Sequence, residues 1–112
     1  MKMILVTGSS GFLGRHFCKY IPDDCVIFAC NSKTANLHDY DALVKHYWGV
    51  RFDYIYHFAA KTKAGDYCLT HKGEQWVDNQ LLNTNILRFW AEHQPQAKMI
   101  CMGTSCMYEP SL

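Results

Sequence analysis

At 112 residues the chain is long enough for one domain with a sizeable core, and its 49% apolar and 19% charged residues exclude a disordered polymer. Eleven basic against ten acidic side chains leave a formal charge of +1, which gives no electrostatic footprint for nucleic acid or an anionic membrane. Any phosphate recognition must therefore be local and made largely by backbone donors.

No apolar stretch approaches the ~18 residues of a membrane span. Residues 1–6 break into Thr7-Gly8-Ser9 before a signal-peptide core could form. Six cysteines, Cys18, Cys25, Cys30, Cys68, Cys101 and Cys106, contain no CxxC pair, and the histidines do not follow at metal-ligand spacing. No metal site is expected. All but Cys106 read as reduced thiols buried as small hydrophobes, in a reducing, cytoplasmic compartment.

In chain order the pattern alternates strand and helix. Residues 3–7 are an apolar, β-branched run, read as a fully buried strand. Residues 11–20 form a helix that ends before Pro22, and 25–30 form a second buried strand. A polar loop at 31–34 leads into a short third strand at 35–37. Asp39 or Asp41 caps a helix over 41–48, which Gly49 stops. Residues 54–60 are the fourth strand, 61–73 a polar stretch, and 75–93 a helix followed by Pro95. Residues 98–103 make a fifth strand.

This alternation implies parallel strands joined by right-handed crossovers, hence an α/β doubly wound Rossmann sheet of order 3-2-1-4-5. Ligands of such sheets bind outside the carboxyl ends of strands one and four. Gly8-Ser9-Ser10-Gly11-Phe12-Leu13-Gly14 lies at the first of these ends. Gly8 allows a tight turn, Gly11 leaves room for a pyrophosphate beside the backbone, and Gly14 lets the helix pack close to the sheet. The helix N-terminus adds free N–H groups and the positive end of its dipole. No Gly-Lys-Ser/Thr follows, which rules out a P-loop. The loop residues expected at a dinucleotide are Thr7, Gly8, Ser10, Gly11, Phe12, Leu13 and Gly14.

A carboxylate at the end of strand two would accept the ribose 2′-OH of NAD and repel a 2′-phosphate. Here that end reads Asn31-Ser32-Lys33, without a carboxylate until Asp39. Asn31, Ser32 and Lys33 are thus candidate contacts to NADP, with NAD as the alternative.

The pattern Thr-Gly-x-x-Gly-x-x-Gly after a first strand resembles the extended short-chain dehydrogenase/reductases, the NAD(P)-dependent sugar-nucleotide epimerases and dehydratases. The resemblance spans the chain. Asn36-Leu37-His38-Asp39 resembles the family's segment beside the adenine, and His57-Phe58-Ala59-Ala60 its H-x-A-A end to strand four. Asn79 and Asn85 fall in a helix similar to the family's Asn-rich one, and residues 103–108 resemble its Ser-Ser-x-x-x-Tyr segment. Asn-Leu-x-Asp, Ala59-Ala60-Lys61 and Thr104-Ser105-Cys106-Met107-Tyr108 are most similar to the GDP-fucose synthase branch, the GDP-4-keto-6-deoxymannose epimerase/reductases.

The resemblance implies that Leu37, Phe58, Ala59, Ala60 and Lys61 face the cofactor, and it agrees with NADP. It implies that Thr104, or else Ser105, orients a substrate carbonyl, and that Cys106 transfers a proton during epimerisation. The substrate class implied is a nucleotide sugar, with neither nucleic acid nor membrane as partner and a homodimer as the assembly the family allows. The family's catalytic Tyr-x-x-x-Lys and substrate region do not occur within residues 1–112. The expectation is therefore the N-terminal cofactor-binding part of an enzyme, truncated after strand five and inactive by itself. A stand-alone nucleotide-binding module or an inactive fragment is the alternative.

Overall fold

The computed structural model describes residues 1–31, 33–59 and 73–102. Within them the elements run β1 (Lys2–Thr7), α1 (Phe12–Lys19), β2 (Cys25–Cys30), α2 (Tyr40–His46), β3 (Tyr54–His57), α3 (Glu74–His93) and β4 (Lys98–Cys101). The strands form one sheet of order β2-β1-β3-β4. All three pairings are parallel, with Leu5 opposite both Phe28 and Ile55, and Ile55 opposite Met99.

This is the expected order without its short third strand. Residues 35–37 do not extend the sheet because the chain before and after them is folded back by asparagine turns. Asn31 Oδ1 accepts the N–H groups of Lys33 and Thr34 at 2.8 and 3.3 Å, and Asn36 Oδ1 accepts that of His38 at 3.0 Å. Ala35 and Leu37 are buried all the same, as anchors of a loop.

β1 is central, so Ile4, Leu5, Val6 and Thr7 are buried on both faces and do not alternate. One face carries the main core, where Leu5, Phe52 and Ile55 meet Leu43 of α2 and Leu82, Ile86 and Phe89 of α3. On the other, Phe17 of α1 packs against Tyr56 and, edge to face, against Phe58, with ring centroids 4.3 and 5.5 Å apart. Asp39 caps α2 by accepting Ala42 N–H at 3.2 Å, and Gly49 follows the helix at φ +82.

Below the sheet, buried Gln94 accepts Phe52 N–H at 2.9 Å and donates to Val50 O at 2.6 Å, tying the entries of β3 and β4. Among the described cysteines only Cys30 is buried. Cys18 and Cys25 are half-buried, and Cys101 is exposed because β4 forms the edge of the described sheet, which corrects the buried-thiol expectation there. No helix among the described residues is long and apolar enough to cross a membrane, and no group of three or more His, Cys, Asp or Glu residues there could hold a metal ion.

Candidate functional site

The carboxyl ends of β1 and β3 open onto a cleft of about 400 Å³. It is lined by Gly8, Ser10 and Gly11 from the first loop, Cys30 and Asn31 from the end of β2, Ala35 to His38, Phe58 and Ala59 beyond β3, and Leu82 of α3. Its position matches the crevice where the strand order reverses.

Backbone against backbone makes the floor. Gly8 has φ +65, and a Cβ built there would sit 2.7 Å from the nitrogen and 2.8 Å from the Cα of Ala59. A Cβ on Gly14 would strike the Gly8 carbonyl oxygen, so this glycine allows α1 to fold onto its own entry loop. The sequence reading assigned that closeness to the helix and the sheet. The structure places it between the helix and the loop. At Gly11 a Cβ would meet only Gly8 O, at 3.3 Å, leaving the cleft side open. Gly11 caps α1 without a side-chain hydrogen bond, and the first N–H groups of the helix have no intrahelical acceptor.

Beneath this floor Thr7 is fully buried and occupied. Its Oγ1 lies 2.6 Å from His57 Nδ1 and accepts Ala59 N–H at 3.2 Å, while His57 Nε2 lies 2.8 Å from Asn83 Oδ1. Burial lowers the His57 pKa, and the Asn83 hydrogen bond opposes that only in part. Burial likewise pushes the Cys30 thiol up, so its sulfur presents a neutral, apolar surface to the cleft.

The opposite wall is tied to α3. Asn85 Nδ2 donates to Leu37 O at 2.6 Å, and His38 Nε2 lies 3.7 Å from Asp78 Oδ1.

Of the residues expected at a cofactor, Gly8, Ser10, Gly11, Asn31, Leu37, Phe58 and Ala59 line this one cleft. Thr7 lies under it, and Gly14 is buried against the loop. Phe12 and Leu13 are exposed in the first turn of α1. Lys33 sits across the Ala35–Asn36 edge, in an adjoining cleft of about 360 Å³ shared with Lys45 and His46. Ser32, Ala60, Lys61, Thr104 and Cys106 lie outside the described residues. Sequence reasoning missed Leu82 as a wall and Asn83 as a support. The helical spacing of Leu82, Ile86 and Phe89 was the signal for Leu82, whereas Asn83 had none.

A glycine-rich turn between a central parallel strand and a helix, opening on a crevice at the strand ends, defines a nucleotide-binding Rossmann domain. The sequence model of the NAD dependent epimerase/dehydratase family matches residues 4–112. The chain belongs to that family.

A search among curated proteins returned no match. Among solved structures, a GDP-L-fucose synthetase from Naegleria fowleri bound to NADP is similar at a TM-score of 0.78 and 25% identity, over 99% of this chain and 33% of that one. A dTDP-4-dehydrorhamnose reductase from Bacillus anthracis in complex with NADP gives 0.75 at 22% identity, over 88% and 35%. The UDP-Glc/GlcNAc 4-epimerase of Campylobacter jejuni gives 0.80 at 19%, over 97% and 39%. The last two likenesses speak for the fold. The chain spans about a third of the length of the structures it matches.

Proposed function

We propose that the chain is the cofactor-binding part of an NADP-dependent epimerase/reductase acting on a nucleotide sugar such as GDP-4-keto-6-deoxymannose. The observation that carries this reading is the cradle itself. Gly8 and Gly14 occupy places where any Cβ would strike backbone, and Gly11 opens toward a crevice at the start of α1, whose first N–H groups have no intrahelical acceptor. The likeness to the NADP-bound Naegleria synthetase supports the branch, and the family model supports the chemistry.

The residues present suit a dinucleotide. N–H groups at the start of α1 would hold the pyrophosphate, and Leu37, Ala35, Phe58 and Leu82 offer apolar walls for a planar base. Asn31 and Lys33 would read the ribose 2′ substituent, and the lack of any carboxylate among residues 30–38 supports NADP. When bound, the nicotinamide cofactor accepts or supplies a hydride. The chain's own part would be to hold the ribose and pyrophosphate with the residues of the cleft. By the family resemblance, Thr104 would orient the sugar carbonyl by hydrogen bonding and Cys106 would move the proton at the adjacent sugar carbon. We further propose a cytoplasmic enzyme, with a homodimer as its assembly.

Calorimetric titration of the full-length protein with NADPH and NADH tests the cofactor reading. NADPH is expected to bind more tightly. NADH binding at least as tightly would overturn the assignment. Retention of the full epimerisation rate by Cys106→Ser would remove that residue from the mechanism.

A further inference from the structure

Thr7, His57 and Asn83 come from three elements and form one directed chain of hydrogen bonds beneath the glycine loop. His57 is 6% exposed, and its two ring nitrogens meet partners of different kinds. Asn83 Oδ1, 2.8 Å from Nε2, only accepts, so Nε2 carries the proton. A neutral imidazole has one proton, so Nδ1 accepts and the Thr7 hydroxyl at 2.6 Å donates. Thr7 Oγ1 then turns its lone pairs to the N–H of Ala59 at 3.2 Å. Ala59 is the residue whose backbone lies where a Cβ on Gly8 would go.

We propose that Asn83 is a positioning residue for the cleft: by fixing His57 as the Nε2–H tautomer it orients the Thr7 hydroxyl and holds the Phe58–Ala59 backbone against Gly8. The inference rests on reading that cleft as the dinucleotide site. Asn83 does not line it and acts only through His57 and Thr7. With no acceptor at Nε2 the tautomer reverses. Nδ1–H then donates to Thr7 Oγ1, and the Thr7 hydroxyl proton is left without its buried acceptor. Among the described residues, the groups facing His57 are Thr7 from β1, Asn83 from α3 and, in register on β4, Cys101. Among the described residues no carboxylate or ammonium contributes to the His57 environment.

The experiment uses full-length protein with ¹⁵N-labelled histidine. Long-range ¹H–¹⁵N correlation reads the protonation of each His57 nitrogen, with His57→Gln giving the assignment, and calorimetry follows NADPH affinity against pH. The wild type is expected as the Nε2–H form. Asn83→Leu removes the acceptor, and is expected to populate the Nδ1–H form and raise the NADPH Kd about tenfold. Asn83→Asp keeps an acceptor and adds a charge. It is expected to hold the Nε2 proton, recover affinity relative to the leucine variant at pH 8, and move the pH dependence of binding upward.

A residue that merely fills space would not move that profile. The proposal is overturned by a leucine variant that keeps the Nε2–H form, or that loses affinity with the tautomer unchanged. Should the leucine variant not fold, an unshifted profile in Asn83→Asp overturns it. Failure of the cofactor reading looks different: the wild type then binds neither NADPH nor NADH, while the His57 tautomer still responds to both substitutions.

Discussion

Asn85 and Leu37, 48 residues apart, are joined by a 2.6 Å hydrogen bond from the asparagine Nδ2 to the leucine carbonyl. The bond pins a loop without strand partners to the longest helix, and it sets the distance between the wall at Leu37 and the wall at Leu82. Asn85→Leu leaves that carbonyl without its donor and is expected to cost about 1–2 kcal/mol of stability. Urea unfolding would measure the loss. On the proposed reading, calorimetry should show weaker binding of NADPH and NADH alike, because Leu37 would contact the part that the two share.

The three loop glycines should not be equivalent. Gly8→Ala combines a left-handed φ with a Cβ 2.7 Å from Ala59 N, and is expected to destabilise the fold by about 2–4 kcal/mol. Gly14→Ala forces its Cβ into the Gly8 carbonyl and should be comparably severe. Gly11→Ala meets one atom at 3.3 Å and should fold nearly as the wild type does while binding cofactor poorly. Thermal melts and titrations on the three variants give the ranking, and a Gly11→Ala protein as unstable as Gly8→Ala would contradict the geometry.

His57 makes stability depend on pH with a definite sign. Its folded-state pKa lies below the ordinary value of 6.5 because burial penalises the imidazolium. Between those two values the unfolded chain binds more protons than the folded one, so stability rises with pH. The contribution is complete above about pH 6.5 and is lost as pH falls from there through the folded-state value. Urea midpoints at pH 7.5 and 5.5 should differ in the wild type. They should differ less in His57→Gln, which removes the titrating group.

Much of this architecture was legible in the residues. β2 runs from Cys25 to Cys30 as its unbroken apolar sequence indicates, and Gly8, Gly11 and Gly14 announce the turn and the helix behind it. The short strand at 35–37 was misread because Ala35 and Leu37 are apolar at every second position, which is also how a loop anchors itself with two side chains. The asparagine turns on either side decide the matter, and they depend on backbone geometry that a one-dimensional pattern does not carry. Asn83 was illegible for a related reason. Its partner is 26 residues earlier, and nothing local distinguishes it from a solvated helix asparagine.

Gln94 shows the same non-local dependence in the support of the sheet. It is 3% exposed and satisfies the Phe52 N–H and the Val50 carbonyl together. Gln94→Leu keeps the volume and leaves both backbone groups buried and unmet, at an expected cost of about 2–4 kcal/mol. Gln94→Glu can still accept from Phe52 but turns an oxygen toward the Val50 carbonyl, and should fall between the two. The ordering can be read from chemical denaturation at pH 7.

Lys33 carries the most discriminating prediction about function. Its ammonium is exposed, forms no ion pair among the described residues, and lines the smaller cleft beside Asn36 with Lys45 and His46. On the proposed reading, a 2′-phosphate reaching across the Ala35–Asn36 edge would meet the ammonium groups of Lys33 and Lys45, which the 2′-hydroxyl of NADH does not need. Lys33→Ala is therefore expected to weaken NADPH about five- to tenfold and leave NADH unchanged, with the difference shrinking as salt is raised. Lys33→Glu should go further and invert the preference, because its carboxylate repels the phosphate and accepts from the hydroxyl. Parallel losses for both nucleotides would mean that Lys33 supports the loop, whereas no change in either would place the 2′ end of the cofactor elsewhere.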